Sequence, residues 1–231
     1  MLGQAGGGWK VPSGDDPAGT RDQCAALLLV REQTLGPEHP DTLDTRSDLA
    51  YWTGEAGDPA AARDQSAALL PFSKRVLGPE HPQTLTVLVN LAYWTGMAGD
   101  PVAARDQFAA VLPADERVLG PEHPDTLITR GNLAYWTGRA GDPAGARDQF
   151  AALLPVRERV LGPEHPDTLA TGDDLAAWTG HAGDPAGARD QYSVLLSVYQ
   201  RMLGPDHPKT LATWAYHAYW AGEADSGAAP A

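Results

Sequence analysis

The sequence predicts an all-α protein, a solenoid of antiparallel helix pairs with about ten helices. Three observations lead to this prediction: a repeat of 42 residues, helix-ending and helix-starting residues at fixed places in each repeat, and apolar residues in recurring columns. The repeat is clearest in the stretch Leu-Gly-Pro-Glu-His-Pro-Asp-Thr-Leu at 35–43, and its copies begin at Leu35, Leu77, Leu119, Leu161 and Leu203. A fixed period of this length indicates one supersecondary unit copied along the chain.

The repeated stretch contains a stop signal and a start signal for helices. Gly36 suits the left-handed conformation that ends a helix, and Pro37 cannot continue one. Pro40 is favoured in the first turn of a new helix, where its missing N–H costs nothing. Asp41 adds a negative charge near that positive helix terminus. We therefore expect one helix to end, a short corner, and another helix to begin.

The first type of helix, called helix B, begins at an Asp-Pro pair, with Asp as N-cap and Pro as first residue. These pairs are Asp16-Pro17, Asp58-Pro59, Asp100-Pro101, Asp142-Pro143 and Asp184-Pro185. In the fourth copy, apolar residues fall on one helical stripe, which predicts a buried face. They are Ala146, Phe150, Leu153, Leu154 and Val160.

Three helix B copies contain an internal proline, namely Pro71, Pro113 and Pro155. Proline removes one hydrogen bond and collides with the carbonyl four residues earlier. We expect a kink or a short break in each helix, and straighter helices at 17–35 and 185–203. The expected positions are 67–71, 109–113 and 151–155.

The second type, helix A, follows the corner, for example from Pro124 to about Arg139. Its largest apolar residues recur nearly unchanged, which predicts core positions. They include Leu85, Leu91, Ala92, Trp94, Leu127, Leu133, Ala134 and Trp136. Gly141 then ends helix A directly before Asp142, so helices A and B must be antiparallel neighbours.

Composition limits the classes of partner. The 231 residues carry a net charge of −13, which argues against binding to nucleic acid and allows a basic protein or peptide partner. No stretch is long and apolar enough to span a membrane, and the N-terminus does not resemble a signal peptide. We therefore expect a cytoplasmic protein. Cys24 is the only cysteine, and we expect it to be a buried apolar residue.

The chain divides into three expected segments. Residues 1–16 are glycine-rich and predict a leader with little fixed structure or a frayed partial repeat, in which Trp9 is out of register. Residues 17–222 form the solenoid. Residues 223–231 predict a flexible tail.

The pattern resembles the tetratricopeptide repeat over roughly residues 17–222. Leu133-Ala134, Gly141, Ala146 and Phe150 follow the small-residue and Ala-x3-Phe spacing of that family. The 42-residue period and the Gly-Pro-Glu-His-Pro corner resemble the kinesin-light-chain type, and they are similar to repeat tails of actinobacterial regulators. The resemblance implies a right-handed superhelix and a protein-interaction scaffold without shared chemistry.

Five repeated histidines could suggest a metal site. They are His39, His81, His123, His165 and His207. A metal ion needs several ligands at about 2 Å, whereas residues one repeat apart lie about 10 Å apart on successive layers. A role in capping helices or shaping the corner is therefore favoured, and no metal is predicted.

Enzyme motifs are absent from the sequence. There is no Gly-x-Ser-x-Gly nucleophile elbow, and none of Lys10, Lys74 and Lys209 follows a glycine as an ATP-binding loop requires. We therefore predict no enzyme activity and no cofactor, and keep an unrecognised hydrolase only as a remote alternative.

The family pattern implies a concave groove lined by helix A, where a peptide could bind. One candidate column is Asp48, Asn90, Asn132 and Asp174, and another is Tyr51, Tyr93, Tyr135 and Tyr219, interrupted by Ala177. Amides pair with the backbone of an extended peptide, and tyrosines give broad contact. Variable neighbours that would set specificity are Glu55, Met97, Arg139 and His181. The alternative is that the tyrosines only pack between repeats.

Two functions remain open from the sequence. The first is a non-catalytic scaffold that binds a peptide or protein segment in the groove. The second is a structural or autoinhibitory tail that regulates an attached or partner enzyme. Exposed groove amides predict that Asn90→Ala and Asn132→Ala weaken binding while barely changing stability.

The last helix A, from Pro208 to about Gly222, is the most aromatic. It carries Trp214 in the column of Arg46 and Arg130. Either Trp214 folds inward and plugs the end of the core, or it joins a second copy in a homodimer, since an uncovered aromatic face usually marks a contact site.

Overall fold

The computed structural model describes residues 16–227, and in this range it contains ten α-helices and no strand. The helix B copies are α1 (Pro17–Thr34), α3 (Pro59–Val76), α5 (Pro101–Val118), α7 (Pro143–Leu161) and α9 (Pro185–Leu203). The helix A copies are α2 (Pro40–Glu55), α4 (Pro82–Met97), α6 (Pro124–Arg139), α8 (Pro166–His181) and α10 (Pro208–Ser226). The predicted alternation of two helix types is confirmed.

Both predicted cap types are present at the helix N-termini. The Asp58 carboxylate accepts a hydrogen bond from the Ala61 backbone N–H at 3.0 Å. The His39 Nδ1 accepts one from the Asp41 N–H at 3.2 Å, and the same bond recurs at His81, His123, His165 and His207. Each cap satisfies one of the donors that a helix start leaves unpaired. The capping role of the repeated histidines is therefore confirmed.

Glycine ends each helix B, but not in the conformation that the sequence suggested. Gly162 has φ 98° and ψ 154°, which is the extended region with positive φ rather than the left-handed helical one. That region is essentially restricted to glycine. Pro163 follows at once and directs the chain into the corner.

The described residues form two compact units, residues 16–133 and residues 134–227. Consecutive helices pack from α1 to α5 in the first unit and from α7 to α10 in the second. In the first unit, the ring of Trp94 lies directly against Gly54, where an added Cβ would overlap it. In the second unit, Trp220 meets Gly180 in the same way. This pair is the repeated contact between one helix A and the next.

The prediction of a break at the internal prolines is wrong, because α3, α5 and α7 are continuous helices with Pro71, Pro113 and Pro155 inside them. Pro71 is exposed, and so is Ala67, whose carbonyl loses its partner. Water can therefore hydrogen-bond to that carbonyl, and the helix continues. The expected kink itself stays a prediction.

Two details at the ends of the array differ from expectation. Cys24 is half-buried rather than buried, because no described helix covers that side of α1. The helix α10 continues to Ser226 and ends at Gly227, which has φ 63° and ψ 13°. Residues 223–226, expected in a tail, are therefore helical, while residues 1–15 and 228–231 lie outside the described residues.

The inward plug expected as one role of Trp214 is wrong. The side chain is 58% exposed, whereas Trp220 on the same helix is 2% exposed. Trp220 takes the column of Trp94 and supplies the aromatic ring of the core.

Candidate peptide-binding groove

A cavity of about 420 Å³ lies within the unit of residues 16–133, between successive helix A copies. Its lining residues come from α2, α4, α5 and α6 and their ends, and they are Asp44, Ser47, Asp48, Tyr51, Trp52, Pro82, Gln83, Leu85, Thr86, Val89, Asn90, Asp115, Leu119, Asp125, Ile128 and Thr129. Four are aspartates, and no lysine or arginine is among them. Of the predicted groove residues, the structure brings Asp48, Tyr51 and Asn90 together at this cavity.

Asp48 is the most perturbed carboxylate of the cavity. Burial and the neighbouring charge of Asp44 raise the pKa of Asp48 to about 6, while Arg31 opposes the change. Burial also raises the pKa of Asp115 and of Asp125. The cavity therefore concentrates negative charge that neighbouring cations only partly neutralise.

The residue type in the predicted Asp and Asn column correlates with the residue type 17 positions earlier, on helix B. Where helix B carries an arginine, the column carries an aspartate: Arg31 with Asp48, and Arg157 with Asp174. Burial and Asp173 raise the pKa of Asp174 to about 6, although the Arg157 guanidinium acts in the opposite direction. Charge compensation inside a repeat is thus one reason for the choice of aspartate.

Where helix B lacks the arginine, the column carries an amide. Ser73 precedes Asn90, and Asp115 precedes Asn132. Asp115 is 2% exposed and accepts a hydrogen bond from the Thr129 hydroxyl at 2.6 Å. A second carboxylate in place of Asn132 would lack the arginine that this position of helix B supplies in the first and fourth copies.

The prediction that Asn90 is an exposed amide is wrong. Asn90 is 8% exposed, and its Nδ2 donates to the Ser47 hydroxyl at 3.3 Å. Asn132 is half-buried and donates to the Ile128 carbonyl at 3.1 Å. The close packing of α2 against α4 covers Asn90, a tertiary effect that no local pattern reveals.

We therefore expect Asn90→Ala to lower the free energy of unfolding by about 0.5–1.5 kcal/mol, because it removes the Ser47 bond and leaves a small void. Urea denaturation measures this. The matched control is Ser47→Ala in the same background, since the two losses should be less than additive if the bond is real. Full additivity would contradict the contact.

The tyrosine column packs against tryptophans. The rings of Tyr51 and Trp94 are 5.8 Å apart, and those of Tyr135 and Trp178 are 6.3 Å apart, both in edge-on arrangements. Tyr93 is half-buried against the adjacent Trp94 at 4.8 Å. These contacts support packing between repeats as one role of the column. Tyr219 also contacts its adjacent tryptophan, Trp220, at 4.8 Å, but it is 53% exposed.

The four variable residues have different surroundings. Glu55 accepts a hydrogen bond from the Tyr51 hydroxyl, and burial is the main cause that raises the pKa of Tyr51 to about 12. Arg139 donates to the Tyr135 hydroxyl at 2.9 Å, and the His181 ring lies 5.5 Å from Trp178. Met97 is 46% exposed. Their roles in specificity stay predictions.

Sequence reasoning did not single out three of the four cavity carboxylates. Asp44 lies one helical turn before Asp48 on the same face, a spacing that could have identified it. Asp115 and Asp125 come from α5 and the start of α6, and nothing in the sequence pattern brings them to this cavity.

The described residues contain no cluster of three or more His, Cys, Asp or Glu side chains able to hold a metal ion. Among the same residues, no helix has the length and apolar character needed to cross a membrane. The groove candidates of the second unit, including Asp174, are not part of the described cavity and stay predictions.

Solved structures with the same fold are similar to the chain. The nearly identical TPR-like repeats of a putative kinesin light chain from Podosopora anserina give a TM-score of 0.70 at 23% identity, covering 79% of this chain and 86% of that one. BtubC (BKLC) from P. vanneervenii gives 0.74 at 14% identity, covering 92% and 85%. Likeness at these identities shows the fold. No curated protein matches the chain.

A family model of the tetratricopeptide repeat matches four consecutive 42-residue segments, at 42–83, 84–125, 126–167 and 168–209. The matched segments cover most of the described helices and use the period read from the sequence. Proteins of this repeat class generally act as non-catalytic scaffolds in protein–protein interaction. The chain belongs to the tetratricopeptide repeat family.

Proposed function

We propose that this chain is a non-catalytic scaffold whose cavity between α2, α4 and α6 binds a basic segment of a protein. The observation that carries the proposal is the charge of the cavity, where four aspartates face one space without a lysine or arginine among the lining residues. An arginine or lysine side chain of a partner would supply the missing counter-charge.

The electrostatics of Asp48 favour such a partner. The carboxylate has a pKa of about 6 because of burial and Asp44, so it is mostly ionised at neutral pH in an unfavourable environment. A bound cation lowers the unfavourable electrostatic free energy of the ionised Asp48, and this gain adds to the free energy of binding. Tyr51 and Trp52 also line the cavity, and their rings would contact the aliphatic part of a lysine or arginine side chain.

The test is binding of a fluorescent peptide of alternating arginine and glycine, measured by anisotropy. Asp44→Asn combined with Asp48→Asn should weaken binding about tenfold or more, since each hydrogen bond to a charged group contributes about 1.5–3 kcal/mol. The matched control is Asp64→Asn with Asp106→Asn, which removes the same charge from the exposed face of helix B.

Equal loss in both double variants would overturn the site, because it would show only the attraction of an acidic protein. Wild-type affinity should also fall as salt rises, since screening acts over about 8 Å at physiological ionic strength. Binding that is insensitive to salt would point to an apolar contact instead.

A further inference from the structure

The last helix, α10, exposes residues that are core elsewhere. Leu211 is 52% exposed, although the leucines of the same column in the four earlier helix A copies are at most 7% exposed. Ala218 is exposed, whereas Ala176 one repeat earlier is 0% exposed. The face that a following helix B would cover is open.

The first helix, α1, exposes the complementary residues. Leu27 is 39% exposed, whereas Leu69, Val111, Leu153 and Leu195 in the same column are 3–9% exposed. Val30 is 55% exposed, whereas Phe72 in the same column is 38% exposed. A helix A covers this side of helix B in the interior repeats, and no described helix does so for α1. Among residues 16–227, α10 is thus a helix A with no helix B after it, and α1 is a helix B with no helix A before it.

The interior contacts define which residues would meet. Leu43 of α2 forms a cluster with Leu69, 26 residues later, and Leu77, 34 residues later. We consider a second copy that continues the array as its next repeats. The same spacing then places Leu211 of the first copy next to Leu27 and Leu35 of the second copy. Both partners are exposed apolar side chains, at 39% and 45%.

Trp214 fits the same register. Its counterpart Arg46 has its guanidinium 6.0 Å from the ring of Phe72, again 26 residues later. The equivalent partner of Trp214 is Val30 of a second copy. The interior pair of Arg46 and Phe72 thus corresponds to a pair of Trp214 and Val30 at the ends of the array. Both of these residues are apolar and more than half exposed. Their contact would remove apolar area from water.

We propose that α1 of a second copy packs on α10 of the first copy in the position of the missing helix B. This contact is head-to-tail, with different surfaces on the two copies, so it builds chains or closed rings instead of a symmetric dimer. It is separate from the proposed peptide binding, because neither Leu211 nor Leu27 lines the acidic cavity.

Analytical ultracentrifugation of the intact chain and two charge variants tests the proposal. The average mass of the intact chain should rise with concentration beyond that of a dimer. Leu211→Asp and Leu27→Asp should each be monomeric, since each blocks one of the two surfaces. Mixed in equal amounts, the two variants should form a one-to-one dimer. Leu211→Asp retains an intact α1, and Leu27→Asp retains an intact α10.

The matched control is Val102→Asp, which places a charge at a 47% exposed valine of α5, away from both surfaces. It should assemble like the intact chain. Circular dichroism checks that each variant is folded, and Trp214→Arg with Val30→Asp provide a second complementary pair if either leucine variant unfolds. An intact chain that stays monomeric, or a Leu27→Asp variant that still forms dimers, would overturn the proposal.

Discussion

Trp94→Ala is expected to lower the free energy of unfolding by about 3–5 kcal/mol, the usual cost of removing a large buried aromatic side chain. Trp94 is 2% exposed, and its indole N–H has no hydrogen-bond acceptor among the described residues. The loss therefore comes from packing, which includes contacts with Gly54 of the preceding helix A and with the rings of Tyr51 and Tyr93. Thermal or urea denaturation measures it, and Val194→Ala, at a position 67% exposed, should change stability by no more than about 0.5 kcal/mol.

The contact between Gly54 and Trp94 gives this prediction a stricter test. Gly54→Ala should also destabilise, because its Cβ would overlap the indole ring and force the helices apart. In a background that already carries Trp94→Ala, the ring is gone, and the same Gly54→Ala change should become neutral or stabilising, since alanine favours helix. Additive effects of the two substitutions would show that they do not touch.

Asp48→Asn is expected to stabilise the protein by about 1–3 kcal/mol at pH 7, since a tenfold difference in proton affinity between the folded and unfolded states corresponds to about 1.4 kcal/mol. The pKa of Asp48 is about 6 in the folded chain, raised by burial and Asp44, and near 3.9 in an unfolded one. Between these values the folded state holds a proton that the unfolded state has released. Stability therefore falls as pH rises from about 4 to 6 and then stays low.

Denaturation midpoints of wild type and Asp48→Asn across pH 4–8 test this sign. The two proteins should be equally stable near pH 4 and should diverge above it. Arg31 and Cys24 of α1 face the same carboxylate, and neither changes the expected direction. Asp106→Asn, an exposed residue paired with Arg105 at 2.7 Å, is the control and should differ little at pH 7. A variant less stable than wild type at pH 7 would contradict the raised pKa of Asp48.

A protein stabilised by Asp48→Asn but impaired in peptide binding would also separate the two roles of this residue. Stored electrostatic cost at a binding site is a common reason for lower stability. If the variant gains stability and keeps its affinity, the Asp48 carboxylate does not take part in peptide binding.

The sequence by itself determined the repeat, the alternation of two helix types and their caps. Cap chemistry is local: Asp58 and His39 each reach a backbone N–H two or three residues away, so a short pattern is enough to predict it. The tryptophan column was equally readable, because a large apolar residue repeated every 42 positions has no place except the core.

Tertiary structure alone decided what surrounds each candidate site residue. Asn90 is buried because α4 packs on α2 and brings Ser47 to its amide. The ring of Tyr51 contacts that of Trp94, 43 residues later. The cavity carboxylates converge from separate helices, whose spacing depends on how side chains such as Trp94 fit against Gly54. The burial of a site residue and the electrostatic potential on it depend on many residues that are distant in the chain. Both therefore follow from packing and not from any local sequence pattern.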